Sequence, residues 1–174
     1  MSQNKDAKLL AAAAKGDYDA VDALLKEGAS PNCRDDSGLT PLHLAAAKGY
    51  TDTVYRLLEE NFDAEGNELP KDKKKLDETA KDIDGNTALH LAAKGSWVAA
   101  ARLLLKDSDI EIDAVNREGK SALDYAIDKD HHNMVEVLLR ENASVSPLQF
   151  VRASHTVRAM MEKETKRRFK ASRG

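Results

Sequence analysis

An all-α fold, built as a solenoid of short paired helices, is predicted by three observations on the sequence. One phrase recurs along the chain: GLTPLHLAAAKG from Gly38, GNTALHLAAKG from Gly85 and the weaker GKSALDYAIDKD from Gly119. An apolar pair follows each small-residue stretch at a fixed distance, namely Leu24 and Leu25, Leu57 and Leu58, Leu103 and Leu104, Leu138 and Leu139. Aromatic residues make up only 5% of the 174, while alanine and leucine abound. That balance suits thin, closely packed helices rather than a sandwich or barrel rich in β-branched and aromatic side chains.

The recurring phrase sets the organisation. Aligned on the residue after its leucine it gives His43, His90 and Asp124, spaced 47 and then 34 apart, and a step of 33 back from His43 reaches Leu10 in KLLAAAAKGDYDAVDALLKEGASPN. Four units follow, roughly 4–37, 38–80, 81–117 and 118–147, forming one body over 1–147. Thr40-Pro41 and Thr87-Ala88 open a helix after a glycine turn, with Thr as N-cap and Pro tolerated at the first helical position. His43 and His90 stand on that first turn, where an imidazole can link neighbouring loop backbones. Ala45, Ala46, Ala92, Ala93 and Ala126 keep the inner helix narrow, and the leucine pairs fill the space between helices and against the next unit. No unit buries its own apolar face, so stability is expected to be cooperative.

Two segments break the pattern. The insertion near 63–78, DAEGNELPKDKKKLDE, reads either as a tolerated solvent loop, since surface insertions cost little closure entropy, or as a lengthened finger beside the groove. In the second reading Pro70 opens a short helix presenting Lys71, Lys73, Lys74 and Lys75. Residues 148–174 read as a C-terminal capping helix and basic tail. The helix starts near Ser146, with Leu148, Val151, His155 and Met160 on one face. Lys166, Arg167, Arg168, Lys170 and Arg173 then cluster around Phe169, a group suited to nucleic acid, an anionic membrane, an acidic partner or a nuclear address. From Arg152 onward eight basic residues face two acidic ones, whereas the remainder holds nineteen against twenty-eight.

Composition limits the function class. With 41% hydrophobic and 33% charged residues, a mean hydropathy of -0.57 and no apolar run near ~20 residues, the chain reads as soluble and globular, and MSQNKDAKLL lacks a signal-peptide layout. The expected compartment is the cytoplasm. A single cysteine, Cys33, provides neither a disulfide nor a thiolate cage, so packing must hold the fold. Enzyme signals are weak. Residues 114–121, AVNREGKS, loosely match a phosphate loop after IEIDAV, but the first position is Ala and no strand ending in Asp follows. His131 and His132 are adjacent and point about 100° apart on a helix, so they cannot chelate as an i, i+4 pair. Ser37-Gly38 lacks a nucleophile-elbow setting. No catalysis, cofactor, metal or small-molecule substrate is expected.

At the repeated residues the chain resembles the ankyrin-repeat family, whose unit reads roughly D-x-x-G-x-T-P-L-H-x-A-A-x-x-G-H, then V-x-x-L-L-x-x-G-A, then N-A. Only unit two carries the full TPLH. Unit one lacks the Gly-x-Thr-Pro finger, unit three moves its glycine to Gly95 and places Trp97 where the family has His, and unit four has Asp124 for His. No finger follows Pro147. The resemblance implies a monomeric, non-enzymatic adaptor or scaffold gripping a partner protein in the concave groove of fingers and inner helices; an electrostatic tether through the tail is the alternative. It also implies partner-contacting positions. These are Asp36, Ser37, Leu39, Leu44, Ala47 and Lys48 in unit two, Ile83, Asp84, Asn86, Leu91 and Lys94 in unit three, and Arg117, Glu118, Lys120, Tyr125, Asp128 and Lys129 in unit four, with Trp97 as an addition. Leu39, Leu44, Ile83, Leu91 and Tyr125 stand out, being apolar where the groove sets no scaffold demand.

Overall fold

The structure, a computed structural model, describes residues 2–61, 75–106 and 110–171. Ten α-helices and no strand are found among them: α1 Ser2–Lys15, α2 Tyr18–Lys26, α3 Pro41–Lys48, α4 Thr51–Leu58, α5 Ala88–Gly95, α6 Val98–Leu104, α7 Ala122–Asp128, α8 His132–Arg140, α9 Pro147–Arg152 and α10 His155–Ala171. Odd-numbered helices pack on one another in sequence, α1 on α3 through α7 on α9, and even-numbered helices form a second row from α2 to α10. The core lies between the rows. Leu42, Leu89 and Leu123 fill it from the inner helices, and Val54, Leu57, Leu104 and Leu138 from the outer ones. Ala45, Ala46, Ala92, Ala93 and Ala126 are fully buried where inner helices meet, so side-chain size there sets how closely the rows approach. IEIDAV, which could pass in the sequence for the strand before a phosphate loop, is not a strand, and Ile112 and Asp113 form a turn.

The two departures of unit three prove to be one feature. Unit two ends its inner helix at Gly49 in the left-handed region, φ 71°, where L-residues with a Cβ are strained. The aligned residue of unit three is Ser96, left-handed at φ 59° without glycine's freedom. Its glycine lies one position earlier because a Cβ on Gly95 would come within 2.2 Å of the Trp97 indole nitrogen. The same indole ring covers Gly49, whose added Cβ would fall 2.4 Å away, and Nε1 donates to the Ala47 carbonyl at 2.9 Å. Trp97 therefore locks unit three to unit two at the turn between inner and outer helices. Tyr50 covers Gly16 in the same way one unit earlier, and His131 Nδ1 lies 3.2 Å from the Ala93 carbonyl one unit later.

The tail differs from the expected single capping helix. Ala153 is extended, at ψ 145°, and splits it in two. α9 continues the inner row against α7, and α10 continues the outer row against α8. Ser146-Pro147-Leu148-Gln149 thus repeats Thr40-Pro41-Leu42-His43, with Ser146 accepting from the Gln149 amide and Pro at the first position. The break also changes the apolar face. Leu148 and Val151 are exposed, whereas Val157 and Met161 are fully buried. Arg168 is drawn out of the basic cluster, donating to the Leu139 and Ala143 carbonyls at the end of α8 and to Glu164. Arg167 pairs with Glu164 at 3.0 Å, Lys166 and Lys170 are exposed, and Arg173 lies outside the described residues.

Of the insertion, residues 63–74, including Lys71, Lys73 and Lys74, lie outside the described residues. Its final part is scaffold. Leu76 is buried in the core, and the Asn32 side chain donates to the Lys75 carbonyl at 2.7 Å and accepts from the Asp77 amide at 2.8 Å. Lys75 also pairs with Glu60 at 3.4 Å.

Candidate functional site

The fingers are built by one side chain each. Asp35, Asp82 and Asn116 stand three residues before Gly38, Gly85 and Gly119, and each turns its side-chain oxygen back onto its own loop. Asp35 Oδ1 accepts from the amides of Ser37 and Leu39, Asp82 Oδ1 from those of Asp84 and Asn86, and Asn116 Oδ1 from those of Glu118 and Lys120. Such local acceptors hold a turn that the backbone alone would leave open. Neighbouring fingers are joined through their backbones. Ile83 N–H donates to the Ser37 carbonyl at 3.1 Å, and Arg117 N–H to that of Asp84 at 2.9 Å.

At the base of the fingers the histidines act as bolts. The Thr40 backbone N–H donates to His43 Nδ1, so that nitrogen is an acceptor and the ring proton lies on Nε2, which donates to the Asn86 carbonyl at 2.9 Å. His90 repeats this from Thr87, reaching the Lys120 carbonyl at 3.0 Å. Burial holds both imidazoles below the ordinary histidine pKa, and they are neutral structural groups at pH 7. At the third junction Asp124 accepts instead. It receives Ser121 N–H and O–H, Gln149 Nε2 from α9 at 3.1 Å, and the Arg152 guanidinium at 3.2 Å.

Around this frame the anticipated contact residues separate into two groups. Asp36, Ser37, Ile83, Asp84, Arg117 and Glu118 are exposed on the finger loops, with Ile83 53% exposed. Lys48, Lys94, Asp128 and Lys129 are exposed at the ends of the inner helices, while Leu44, Ala47 and Leu91 are half-buried along them and Leu39 is half-buried in its finger loop. Two residues belong to the frame. Asn86 is buried, donating to Asp82 Oδ2 at 3.1 Å and accepting from Asn116 at 2.8 Å, and Tyr125 is 9% exposed with its hydroxyl 3.0 Å from Asn116 Nδ2. Tyr125 is therefore not free of scaffold duty. It lies edge-on to His90, with the Lys94 and Lys120 ammonium groups 5.6 and 5.5 Å from its ring centroid. Lys120 is further held by Glu118 and Asp128, each at 3.4 Å. Trp97 is 42% exposed on the face not packed over Gly49. The sequence could have flagged Asn116, since the finger position three residues before the glycine recurs as Asp or Asn, whereas Asn86 is in register with Leu39 and Lys120 and carries no such signal.

Other candidate groups are quiet. Cys33 is half-buried, desolvation pushes its thiol up to about 11, and its sulfur donates weakly to the Asp6 carbonyl at 3.6 Å. No three potential metal ligands cluster, and no helix is long and apolar enough to cross a membrane, among the described residues.

Family models for ankyrin repeats match residues 9–58 and 68–148. The chain belongs to the ankyrin-repeat family. It is 31% identical over 173 residues to the potassium channel AKT2/3 of Arabidopsis thaliana, covering 82% of this chain and 20% of the channel. It is 35% identical over 105 residues to protein phosphatase 1 regulatory subunit 12A of Mus musculus, covering 60% of this chain and 9% of that protein. To the B-cell lymphoma 3 protein homolog of Mus musculus it is 32% identical over 129 residues, 74% of this chain and 26% of the other. The chain thus spans only about a fifth of the channel and less of the regulatory subunit. Ankyrin repeats are protein-interaction modules and are generally non-enzymatic.

Proposed function

We propose that this chain is a cytoplasmic, non-enzymatic adaptor or scaffold that holds a partner protein in the concave groove between its fingers and inner helices. In this reading the repeat body runs over residues 1–147 and is extended by the α9–α10 pair. One observation carries the reading. The repeated polar groups are consumed in building the fingers and bolts, while the residues that differ between repeats, Asp36, Ser37, Ile83, Asp84, Arg117 and Glu118, are left exposed along one edge. Behind them the half-buried Leu39, Leu44 and Leu91 offer apolar anchors of the kind in which interfaces concentrate energy.

The test is partner capture by groove variants. Leu91→Asp and Ile83→Asp should each weaken capture by more than ~1 kcal/mol with little change in thermal midpoint. Tyr125→Ala is a poor probe, since it empties a buried, hydrogen-bonded site. Outer-helix controls are Glu136→Lys and Arg102→Glu, both on exposed positions. Arg56 cannot serve, being buried between Asp22 at 2.7 Å and Glu60 at 2.9 Å. Normal capture by both groove variants with loss in the outer-helix variants would move the site to the convex face. Loss of association on Lys166→Glu with Lys170→Glu alone would favour the tail tether instead.

A further inference from the structure

The inner helices of the four repeats each carry a lysine at or next to their C-terminal end: Lys15 in α1, Lys48 in α3, Lys94 in α5, and Lys129 just past α7. All four are exposed, and among the described residues none forms an ion pair. Lys15, Lys48 and Lys129 occupy the same position of the repeat, and Lys94 stands one residue earlier because Gly95 takes that place beneath Trp97. The helix dipole favours a cation at each of these ends, but it does not keep carboxylates away from all four. Carboxylates are plentiful elsewhere, since the chain outside the tail holds twenty-eight acidic residues against nineteen basic ones. The one acidic residue in register with Lys94, Asp128, is already neutralised by Arg152 and Lys120. The row therefore presents unopposed positive charge along one rim, beside the partly exposed Trp97, whose indole Nε1 donates to the Ala47 carbonyl next to Lys48.

Resting on the groove reading above, we propose that the partner enters as an extended acidic protein segment, its Asp or Glu side chains facing Lys15, Lys48, Lys94 and Lys129. Packed helices lie about 8–10 Å apart, and three residues of extended chain span about 10 Å. A carboxylate at every third residue thus meets one lysine per repeat, and the exposed part of Trp97 accepts an apolar residue between.

The test uses the full chain and a fluorescein-labelled peptide, (Glu-Thr-Val)5, with (Lys-Thr-Val)5 and the single strand dT15 as comparators, read by fluorescence anisotropy. Saturable binding of the acidic peptide is expected, weakened by added salt and at least tenfold weaker in the triple variant Lys48→Gln, Lys94→Gln, Lys129→Gln. Lys166→Gln with Lys170→Gln should leave it unchanged. Glutamine keeps the exposed positions polar, and circular dichroism confirms that the triple variant is folded. Absence of binding, or binding that ignores the three lysines, overturns the inference. Tighter, lysine-dependent binding of dT15 also overturns it and assigns the row to nucleic acid. If the acidic peptide fails while Leu91→Asp still disrupts capture of the native partner, this inference falls and the groove stands.

Discussion

Between the second and third repeats, and again between the third and fourth, a neutral histidine donates to a carbonyl of the next repeat; between the fourth repeat and α9 the donor and acceptor exchange sides. The geometry of the helix start is the same in all three, with Thr or Ser as N-cap and the third helical residue folded back onto its amide. What differs is which partner carries the proton. A carboxylate can only accept, so α9 must present donors, and it does so with Gln149 and Arg152. The departure at Asp124 is thus one half of a matched exchange whose other half lies 25 residues on, at Gln149. Polar bolts in this solenoid need complementarity across each junction rather than one particular residue.

Both kinds of junction should rest on the same apolar stacking. Leu104 tests that expectation, since it is fully buried between the bolted repeats. Leu104→Ala should cost ~2–5 kcal/mol by chemical denaturation, the largest effect expected here. A loss under ~0.5 kcal/mol would mean that the bolts, not the stacking, dominate.

The carboxylate junction breaks next. Asp124→Ala removes the acceptor for Gln149, Arg152 and the Ser121 N–H, leaving buried donors unpaired, so a loss of ~1–3 kcal/mol is expected. Gln149→Ala should cost less, because Asp124 retains Ser121 and Arg152. Equal losses would show that Gln149 is the true bolt.

The histidine junctions should reveal themselves through pH. Burial lowers the folded-state pKa of His43 and His90, so below the ordinary value near ~6.5 the unfolded chain binds protons that the folded chain does not. Their contribution is fully present above that pH and is lost as pH falls toward the folded-state values, with a limiting slope of about 1.4 kcal/mol per pH unit for each ring. His43→Gln with His90→Gln should flatten this part of the stability profile while retaining a donor, as Gln149 does naturally. An unchanged slope would place the titration elsewhere.

The repeat phrase made the inner and outer helices, the leucine core and the histidine bolts legible in the sequence, because each depends on a short local pattern. The tail was misread for a physical reason. Leu148, Val151 and His155 fit one continuous helical face, and nothing in that spacing announces that Ala153 turns extended and Ser154 starts a new helix, accepting from the Val157 amide at 3.3 Å. The helix start at Ser146-Pro147 is read correctly, but Gln149 in place of His conceals that it repeats Thr40-Pro41-Leu42-His43. The frame role of Asn86 and Tyr125 is not legible in the sequence, because their family positions face the groove whereas their burial depends on Asn116, thirty and nine residues away. Gly95 could be understood only once Trp97 had been placed.

The smallest expected effect concerns the octet 114–121, the one segment where a histidine bolt meets a motif-like sequence. A phosphate loop works by leaving several backbone amides free to point at the anion. Here they are committed. Arg117 N–H goes to the Asp84 carbonyl, those of Glu118 and Lys120 to Asn116 Oδ1, that of Gly119 to the Asn116 carbonyl and that of Ser121 to Asp124. The Lys120 carbonyl is taken by His90, and its ammonium lies between Glu118 and Asp128 over the Tyr125 ring. An ATP phosphate would have to dismantle the finger to be held. Lys120→Ala should therefore leave nucleotide titrations flat, as in the unaltered chain, and exposed ion pairs of this kind contribute too little to move the melting midpoint noticeably. Saturable ATP binding in the unaltered chain, abolished by this substitution, would show that the amides open in solution and that the finger is less firmly built than its hydrogen bonds require.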